Sequence, residues 1–564
     1  MRVIKKSVIF FSLFLGMGFL HAQEALKSLE EEYYDFLFLQ GLTERPTLGY
    51  RTLSDNVWNL KESSEDSEGG GGNLWQSNNL GTTFTLANFE QNNFFTKGLN
   101  PHLNVRAYGP VWYNSYNSGL PYGQNDGALW QGVGYNTSLT AGARFEALGF
   151  EVTIKPQLTF SQNKDFELMP SKYVSEYGYI WAYENNPTPI GIDFPQRFGN
   201  SPYWQFDWGD SEIRWSWYNF TVGFGTQNPW LGPAYLNPML GSNNAASFPK
   251  LDFGFRKTSV YIPYFDIYLG DIEGRTWCGA LQESDYFDND STNDWRMLFG
   301  INFSYSPSFI PNFTMGINRI LYTEWNINSL YLWTRLLGKR KTNLGWDTET
   351  EAHEDQKLAL FAQWAMPQVG FEVYGEYGFD DFFLKIRDTF HTGIYTVGLK
   401  QIIPLPWQKL KSQLVFEWNS FEMSQDYQLQ WEYIGYYGHG QIAQGYTNRG
   451  QILGAGSGEF GNSQYLAYKV YYPKGSSSIY IHRYAPNNNY LNNKAVHEDA
   501  DNIRSLYWGL YYTNLALGFT TQYFVTPSLS LQGKFVYIQS ECVNYEKDNH
   551  KKTFQIGFSA EYKF

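Results

Sequence analysis

Apolar and polar residues alternate along most of the chain, from about residue 80 to its end. The pattern is clearest at the C-terminus, where every second residue from Phe554 to Phe564 is apolar and the intervening residues, Thr553 to Lys563, are polar or small. Because successive side chains of a β-strand point to opposite faces, this period of two predicts amphipathic strands. The other clear segments are Ala141–Ile154, Ile213–Gly225, Lys357–Ala365, Gly370–Tyr377, Tyr395–Gln401, Asn514–Phe524 and Leu529–Tyr537.

Two classes of protein contain such strands: soluble sandwiches, with the apolar face inward, and transmembrane barrels, with the apolar face outward. The composition favours a barrel, since 19% of the residues are aromatic, only 17% are charged, and the mean hydropathy is −0.44. Lipid-facing and lumen-facing residues of a barrel average to such values. The terminal Phe564 is also typical of bacterial outer-membrane barrels. We therefore predict an all-β, transmembrane antiparallel β-barrel of roughly 16 to 20 strands.

Residues 1–22 have the three parts of a secretory signal peptide: a basic start, an apolar stretch from Val8 to Leu20, and a cleavage site before Gln23. The alternative is an uncleaved anchor, but the apolar stretch is short for a bilayer span. Cleavage leaves 39 Lys and Arg against 55 Asp and Glu, a net charge of −16. This balance argues against nucleic-acid binding, which requires a basic face.

Residues 25–40 have apolar side chains at near-helical spacing, and Gly41 is placed to end the helix. The segment Lys61–Gly72 is charged and then pure glycine, which predicts a flexible linker. The expected organisation is a signal peptide (1–22), a periplasmic helix and linker (23–79) and an outer-membrane barrel with extracellular loops (80–564).

Short segments with proline, Met366–Gln368 and Thr526–Ser528, are typical of periplasmic turns. Longer polar stretches are typical of extracellular loops, and we expect two of these at Asn163–Asp210 and Ser463–Ile503.

Four clusters combine amides or a guanidinium with an aromatic residue and glycines. They lie at 125–132, 192–199, 227–245 and 445–454. Amides and arginines donate to sugar hydroxyls or carboxylates, and an aromatic ring packs on the apolar face of a sugar. Turns, inward-folded loops and interface anchors need the same residue types, so that interpretation stays open. The candidate polysaccharide contacts are Asn125, Asp126, Trp130, Arg197, Trp230, Asn243, Asn244, Tyr446 and Arg449. The two arginines are candidate donors to an acidic sugar.

Enzyme signatures are mostly missing, and we predict neither catalysis, nor a cofactor, nor a metal site. The Gly456–Gly461 segment matches GxGxxG but lacks the strand-and-helix context of a nucleotide site. A hydrolase with Ser, His and acid groups at the barrel rim stays an alternative. Whether Cys278 and Cys542 form a disulfide is open, because their spacing along the chain does not show proximity.

Five motifs together resemble the capsule-assembly Wzi family. They are NDGALWQG (125–132), IDFPQRFG (192–199), NPWLGP with NPMLGSNNA (228–245), YGEYG (374–378) and GYTNRGQILG (445–454), in the family's order. The resemblance implies an outer-membrane barrel of eighteen strands with a periplasmic helical element. It also implies a surface lectin that holds capsular or related exopolysaccharide. The family's helical bundle is reduced here to the one helix at 25–40.

The resulting hypothesis is a non-enzymatic, lectin-like barrel that attaches capsular or exopolysaccharide to the cell surface. The expected partners are that polysaccharide, outer-membrane lipid and the outer-membrane assembly machinery, with the protein itself a monomer. A porin or substrate channel is the alternative, because open and plugged barrels share one strand pattern.

Overall fold

The structure is a computed structural model that describes residues 28–53, 58–60, 74–77, 84–91, 94, 96–169, 192–288, 290–337, 354–380, 392–422, 435–487 and 509–564. The predicted signal peptide (1–22) and the linker Lys61–Gly72 lie outside these residues, so both stay predictions.

In the described part of the chain, eighteen strands form one closed antiparallel barrel. Each strand pairs with the next in sequence, and the last pairs with the first. The strands are β1 (His102–Asn117), β2 (Gly134–Ala147), β3 (Phe150–Ile154 and Gln157–Ser161), β4 (Tyr203–Asp207 and Glu212–Trp217), β5 (Phe220–Gly225), β6 (Lys250–Ile262), β7 (Ile267–Gln282), β8 (Trp295–Pro307), β9 (Phe313–Glu324), β10 (Glu354–Met366), β11 (Phe371–Asp380), β12 (Ile394–Ile403), β13 (Lys411–Ser420), β14 (Asn462–Tyr472), β15 (Gly475–Ala485), β16 (Thr513–Thr526), β17 (Leu529–Glu541) and β18 (Lys551–Tyr562). The predicted all-β barrel of about eighteen strands is confirmed.

The apolar face of the strands points outward. In β18, Ile556 is 59% exposed and Gln555 is fully buried, which is the inverse of a soluble strand. The sandwich alternative is therefore wrong. Exposed tryptophans lie where strands end, at Trp295 and Trp325 on one side of the barrel and Trp364 and Trp407 on the other. Such rings are typical of the two membrane interfaces.

The two proline-containing turns are confirmed, between β10 and β11 and between β16 and β17. The expectation of a loop over Ser463–Ile503 is wrong in its first half, where β14 and β15 lie. The prediction failed because Ser476 and Ser478 make the segment polar, and these serines are buried facing the lumen. The loop expected at Asn163–Asp210 ends early for the same reason, since β4 begins at Tyr203 and turns Gln205 inward.

The predicted helix is present as α1 (Leu29–Leu39). The Ser28 hydroxyl accepts a hydrogen bond from the Glu31 N–H and caps the N-terminus. At the other end Gly41 has φ +75°, and the Leu42 N–H bonds the Leu37 carbonyl, which forms a Schellman motif.

Helix α1 lies inside the mouth of the barrel at the end of the short turns. We call this end periplasmic and the end of the long loops extracellular, because short turns and long loops are typical of those two sides. Its aromatic side chains pack with Trp75 against the inward residues Tyr471 of β14 and Phe524 of β16. Four helix carboxylates pair with basic groups around it, three of which are on the barrel wall: Glu30 with Lys563, Glu31 with Arg51, Glu32 with Lys469 and Asp35 with Lys400. The periplasmic end of the lumen is thus occupied by a helix held on several sides.

Shorter elements complete the described structure. They are α2 (Leu74–Ser77), α3 (Tyr331–Arg335), the 3₁₀ turns Ile327–Leu330 and Val543–Tyr545, and the strands Thr43–Glu44, Tyr50–Arg51, Asn59–Leu60, Phe84–Asn88, Trp230–Leu231, Thr447–Asn448 and Gln451–Ile452. Within the described ranges, no helix has the length and apolar character needed to cross a bilayer.

Candidate functional site

Two segments between strands, 226–249 and 435–461, fold into the barrel and fill the middle of its lumen; we call them the plug. Apolar plug residues such as Leu231, Met239 and Leu453 are buried in one core with the inward-facing Trp277 and Leu298 of the wall. The strand pattern left open whether the barrel is an open channel or plugged. This core occupies the lumen between the two mouths, so the barrel is plugged.

Buried glutamates on the strands hold these inserted segments by their backbone N–H groups. Glu376 of β11 accepts from Ala234 and Met239, both at 3.0 Å. Glu417 of β13 accepts from three consecutive N–H groups, those of Tyr235 at 2.6 Å, Leu236 at 3.1 Å and Asn237 at 2.8 Å. Charge-assisted bonds of this kind are about twice as strong as neutral ones.

Glu273 of β7 plays the same part for residues 42–53, the segment that follows α1, here called the strap. One of its carboxylate oxygens accepts from the N–H groups of Leu48 at 3.0 Å, Gly49 at 2.8 Å and Tyr50 at 3.1 Å. The strap and the plug also meet directly, in a short ladder that pairs Tyr50–Arg51 with Trp230–Leu231.

Three of the nine candidate contacts are buried side chains that hold loops in place through hydrogen bonds to backbone carbonyls; we call them braces. The Trp230 indole donates to the Ala234 carbonyl at 3.0 Å, and the Tyr446 hydroxyl donates to the Leu240 carbonyl at 2.7 Å, both within the plug. The Arg197 guanidinium donates to the Asn163 carbonyl at 2.6 Å and also pairs with Asp165. Their polar groups are engaged with protein partners.

Above the plug lies a cavity of about 240 Å³, here called the outer cavity. It opens among the extracellular ends of β15, β16 and β17 and the loop after β1. Rings line it at Tyr122, Trp130, Phe166, Phe194, Tyr484 and Tyr512. Amides line it at Gln124, Asn125, Gln131, Gln196, Asn244, Gln451, Asn514 and Asn544. Aromatic faces among amides are the groups that sugar rings and hydroxyls require.

Four candidates meet in the outer cavity: Asn125, Asp126, Trp130 and Asn244. The Asn125 amide nitrogen donates to the Leu236 carbonyl at 3.0 Å, and the buried Oδ1 atom has no hydrogen-bond partner among the described residues. Trp130 packs on Phe198 with ring centroids 5.0 Å apart. Burial raises the pKa of the Asp126 carboxyl, against the opposing effects of Lys534 and a hydrogen bond from Gln131.

A second cavity of about 320 Å³, the inner cavity, lies on the lumen side of the same loop. Asn243 lines it, and Asn125, Asp126 and Leu129 line both cavities. The inner cavity is polar, with Lys155 and Glu561 among its wall residues. The loop at 125–129 is therefore a partition between an outer and an inner space.

Arg449 lies against two residues of the barrel wall. Its backbone is left-handed, with φ +50°, and its guanidinium donates to the Gln282 side-chain oxygen at 3.1 Å and lies 3.9 Å from Asp207. The structure thus brings four of the nine candidates together, places Asn243 beneath them, uses three as braces and holds Arg449 against the barrel wall. As polysaccharide contacts, all nine stay predictions.

Sequence reasoning missed several lining residues. Phe194 and Gln196 belong to the IDFPQRFG motif, and Gln451 to GYTNRGQILG, so the motifs contained a usable signal. Gly456 to Gly458, part of the discarded GxGxxG match, form another wall. Tyr484 and Tyr512 carry no local signal, because they reach the cavity only through the pairing of β15 with β16.

Buried acids at the extracellular rim tie the loops to one another. Asp193 accepts from the Ser284 N–H at 2.7 Å and from the Ser284 hydroxyl at 2.6 Å. Burial raises the pKa of the neighbouring Glu283 carboxyl to about 8, although Gln444 donates to it.

Cys278 and Cys542 are both free thiols. Among the described residues no group of three or more His, Cys, Asp or Glu side chains is arranged to hold a metal ion.

Comparison with known proteins places the chain in a family. The family model described as "Capsule assembly protein Wzi" matches residues 123–555. Among solved structures, Wzi of Escherichia coli superposes with a TM-score of 0.57 at 11% identity, over 96% of this chain and 99% of that one.

Two other solved structures superpose less well. OprB of Pseudomonas putida, with 9% identity over 81% of this chain and 94% of its own, has a TM-score of 0.35. OccAB1 of Acinetobacter baumannii, with 10% identity over 81% and 96%, has a TM-score of 0.37. Scores this low support no conclusion. No curated protein matches the chain. The family match, the matching barrel and the outward apolar faces lead to one conclusion: the chain belongs to the capsule assembly protein Wzi family and is an outer-membrane protein.

Proposed function

We propose that this protein is a lectin-like barrel that holds a capsular or related extracellular polysaccharide at the cell surface. The outer cavity is the observation that carries the proposal, because it presents aromatic faces and amides at the extracellular end of a plugged barrel. The E. coli relative is described as a carbohydrate-binding β-barrel involved in group 1 capsule assembly, which supports the same role.

The chemistry needed is binding without bond cleavage, so we propose no catalytic activity. Asn125 Oδ1 is an acceptor to which none of the described residues donates, and rings such as Trp130 offer an apolar face to a sugar. One cavity of this size holds only a short part of a polymer. Firm attachment therefore comes from many copies of the protein binding the repeats of one chain.

The remaining partners are part of the proposal. The outward apolar side chains contact outer-membrane lipid, and the amphipathic β18 with its terminal Phe564 is the signal for the outer-membrane assembly machinery. Among the described residues, each of the eighteen barrel strands is paired on both sides, so none of them offers a free edge to another copy, which supports a monomer. We also propose that residues 1–22 are removed on export.

Replacing Trp130 with alanine is expected to weaken binding of the producing cell's own surface polymer about tenfold, because an aromatic contact contributes about 1.4 kcal/mol. The measurement is polymer binding to the purified protein in detergent. Trp325→Ala is the matched control, since Trp325 is exposed at the outer wall and does not line the cavity. Trp130→Phe keeps a ring and should retain part of the affinity. Wild-type binding by Trp130→Ala, with the fold intact, argues against this site.

The plug also decides between a lectin and a porin. Because the plug core and α1 fill the lumen, we expect the purified protein to carry little current in planar lipid bilayers. Steady conductance at the level of a porin of similar strand number would contradict this expectation and favour the channel.

A further inference from the structure

Resting on the proposed function, we infer that the outer cavity selects electrically neutral sugar residues and rejects uronic acids. The charges around the cavity carry this inference. Among its described lining residues there is no lysine or arginine, and the imidazole of its histidine, His482, shares a hydrogen bond of 3.0 Å with the Ser463 hydroxyl. Two carboxylates, Asp126 and Glu167, are present.

A uronate in this cavity would lose water without gaining a cation. Burying a carboxylate is costly unless it is paired, and like charges a few ångströms apart repel each other. One of the two carboxylates, that of Asp126, already lies within the influence of Lys534. Lys534 itself is not among the lining residues, and its ammonium lies 5.5 Å from the centroid of the Tyr122 ring.

Three other cations near the rim have protein partners. Lys551 is 2.8 Å from Glu167, and the Arg197 guanidinium is buried against the Asn163 carbonyl and Asp165. Arg449 donates to Gln282 and lies beside Asp207. The two arginines that the sequence suggested as donors to an acidic sugar therefore take no part in this inference.

The cavity does contain groups that can bind the uncharged hydroxyls of a neutral sugar. The Asn125 Oδ1 atom can accept a hydrogen bond from a sugar hydroxyl. The Gln451 side-chain amide forms no hydrogen bond with a described residue, so it can both donate to a hydroxyl and accept from one. The Tyr484 and Tyr512 rings supply apolar faces. Such a set recognises hexoses or N-acetylated sugars, whose polar groups carry no charge.

The test compares two forms of one polymer, the producing cell's own surface polysaccharide before and after chemical reduction of its uronic carboxyls. Binding to the full-length protein is measured with a chelator present, so that no divalent cation bridges carboxylates. We expect the reduced form to bind at least as tightly as the native one. A native form that binds about tenfold more tightly than the reduced form would overturn the inference. If neither form binds, the proposed function itself fails, which is a different outcome.

A charge variant gives a second arm. Gln451→Lys places an ammonium on the cavity wall, and we expect it to raise the affinity for oligogalacturonate about fivefold at low salt. Gln539→Lys adds the same charge at an exposed position on β17 outside the cavity and is expected to leave affinity unchanged. Tight binding of oligogalacturonate by the wild-type protein would also overturn the inference.

Discussion

Replacing Glu417 with alanine is expected to release part of the plug and to make the barrel conduct ions. Its carboxylate is 1% exposed and accepts from the N–H groups of Tyr235, Leu236 and Asn237 and from the Tyr374 hydroxyl. Without it these donors are buried and unpaired, which costs on the order of 3–5 kcal/mol. Single-channel recordings should show openings that the wild-type protein lacks, and thermal unfolding should begin at a lower temperature.

The control is Glu541→Ala at the exposed end of β17. Glu541 contacts His550 and accepts a hydrogen bond from the Gln539 side chain, both at the surface, so its loss is expected to cost less than about 1 kcal/mol. If Glu417→Ala stays as silent and as stable as this control, the strand carboxylates do not hold the plug.

Much of the barrel wall was predictable because its pattern is local. In β18 each residue's face follows from its position alone, so the outward Phe554 and the inward Thr553 could be assigned from sequence. Closure and strand number are long-range properties, and the residues alone gave only a range of strand numbers. Ser476 and Ser478 show the cost of relying on polarity, since serine facing a wet lumen looks like serine in a loop.

The plug was not predictable in the same way. Glu417 sits in an alternating strand and looks like any lumen-facing polar residue, yet it binds a segment far away along the chain. The motifs could be recognised in the sequence, but their structural role, which is to hold the plug in the lumen, could not. Glu376 in YGEYG and Tyr446 in GYTNRGQILG hold the plug, which explains glutamate and tyrosine at those places.

About half of the candidate site could be predicted from the sequence. NDGALWQG forms one wall of the outer cavity by itself, so Asn125, Asp126 and Trp130 could be named from a single motif. The opposite wall comes from β15 and the residues just before β16, where Tyr484 and Tyr512 look like ordinary aromatic residues in and beside strands. Their role depends on the closure of the barrel, which no local pattern contains.

Removing this protein from the producing cell is expected to have the largest effect of all. Polymer should move from the cell surface into the medium, because synthesis and export do not depend on the anchor. Total polymer is expected to stay the same, and complementation with the wild-type gene should restore the bound fraction. Lower total polymer without a change in the bound fraction would assign the protein to synthesis or export.

The cavity is tested in the same cells by a variant that folds but lacks the proposed contacts. Trp130→Ala removes the ring, and Asn125→Gly removes the free acceptor without backbone strain, since glycine readily adopts the φ of +60° found there. Normal amounts of the double variant in the outer membrane are the required control.

The most direct test of the proposed role is the fraction of total polysaccharide that stays bound to cells carrying this double variant in place of the wild-type protein. Attachment through the outer cavity predicts a bound fraction close to that of cells without the protein. A bound fraction equal to that of wild-type cells would contradict it.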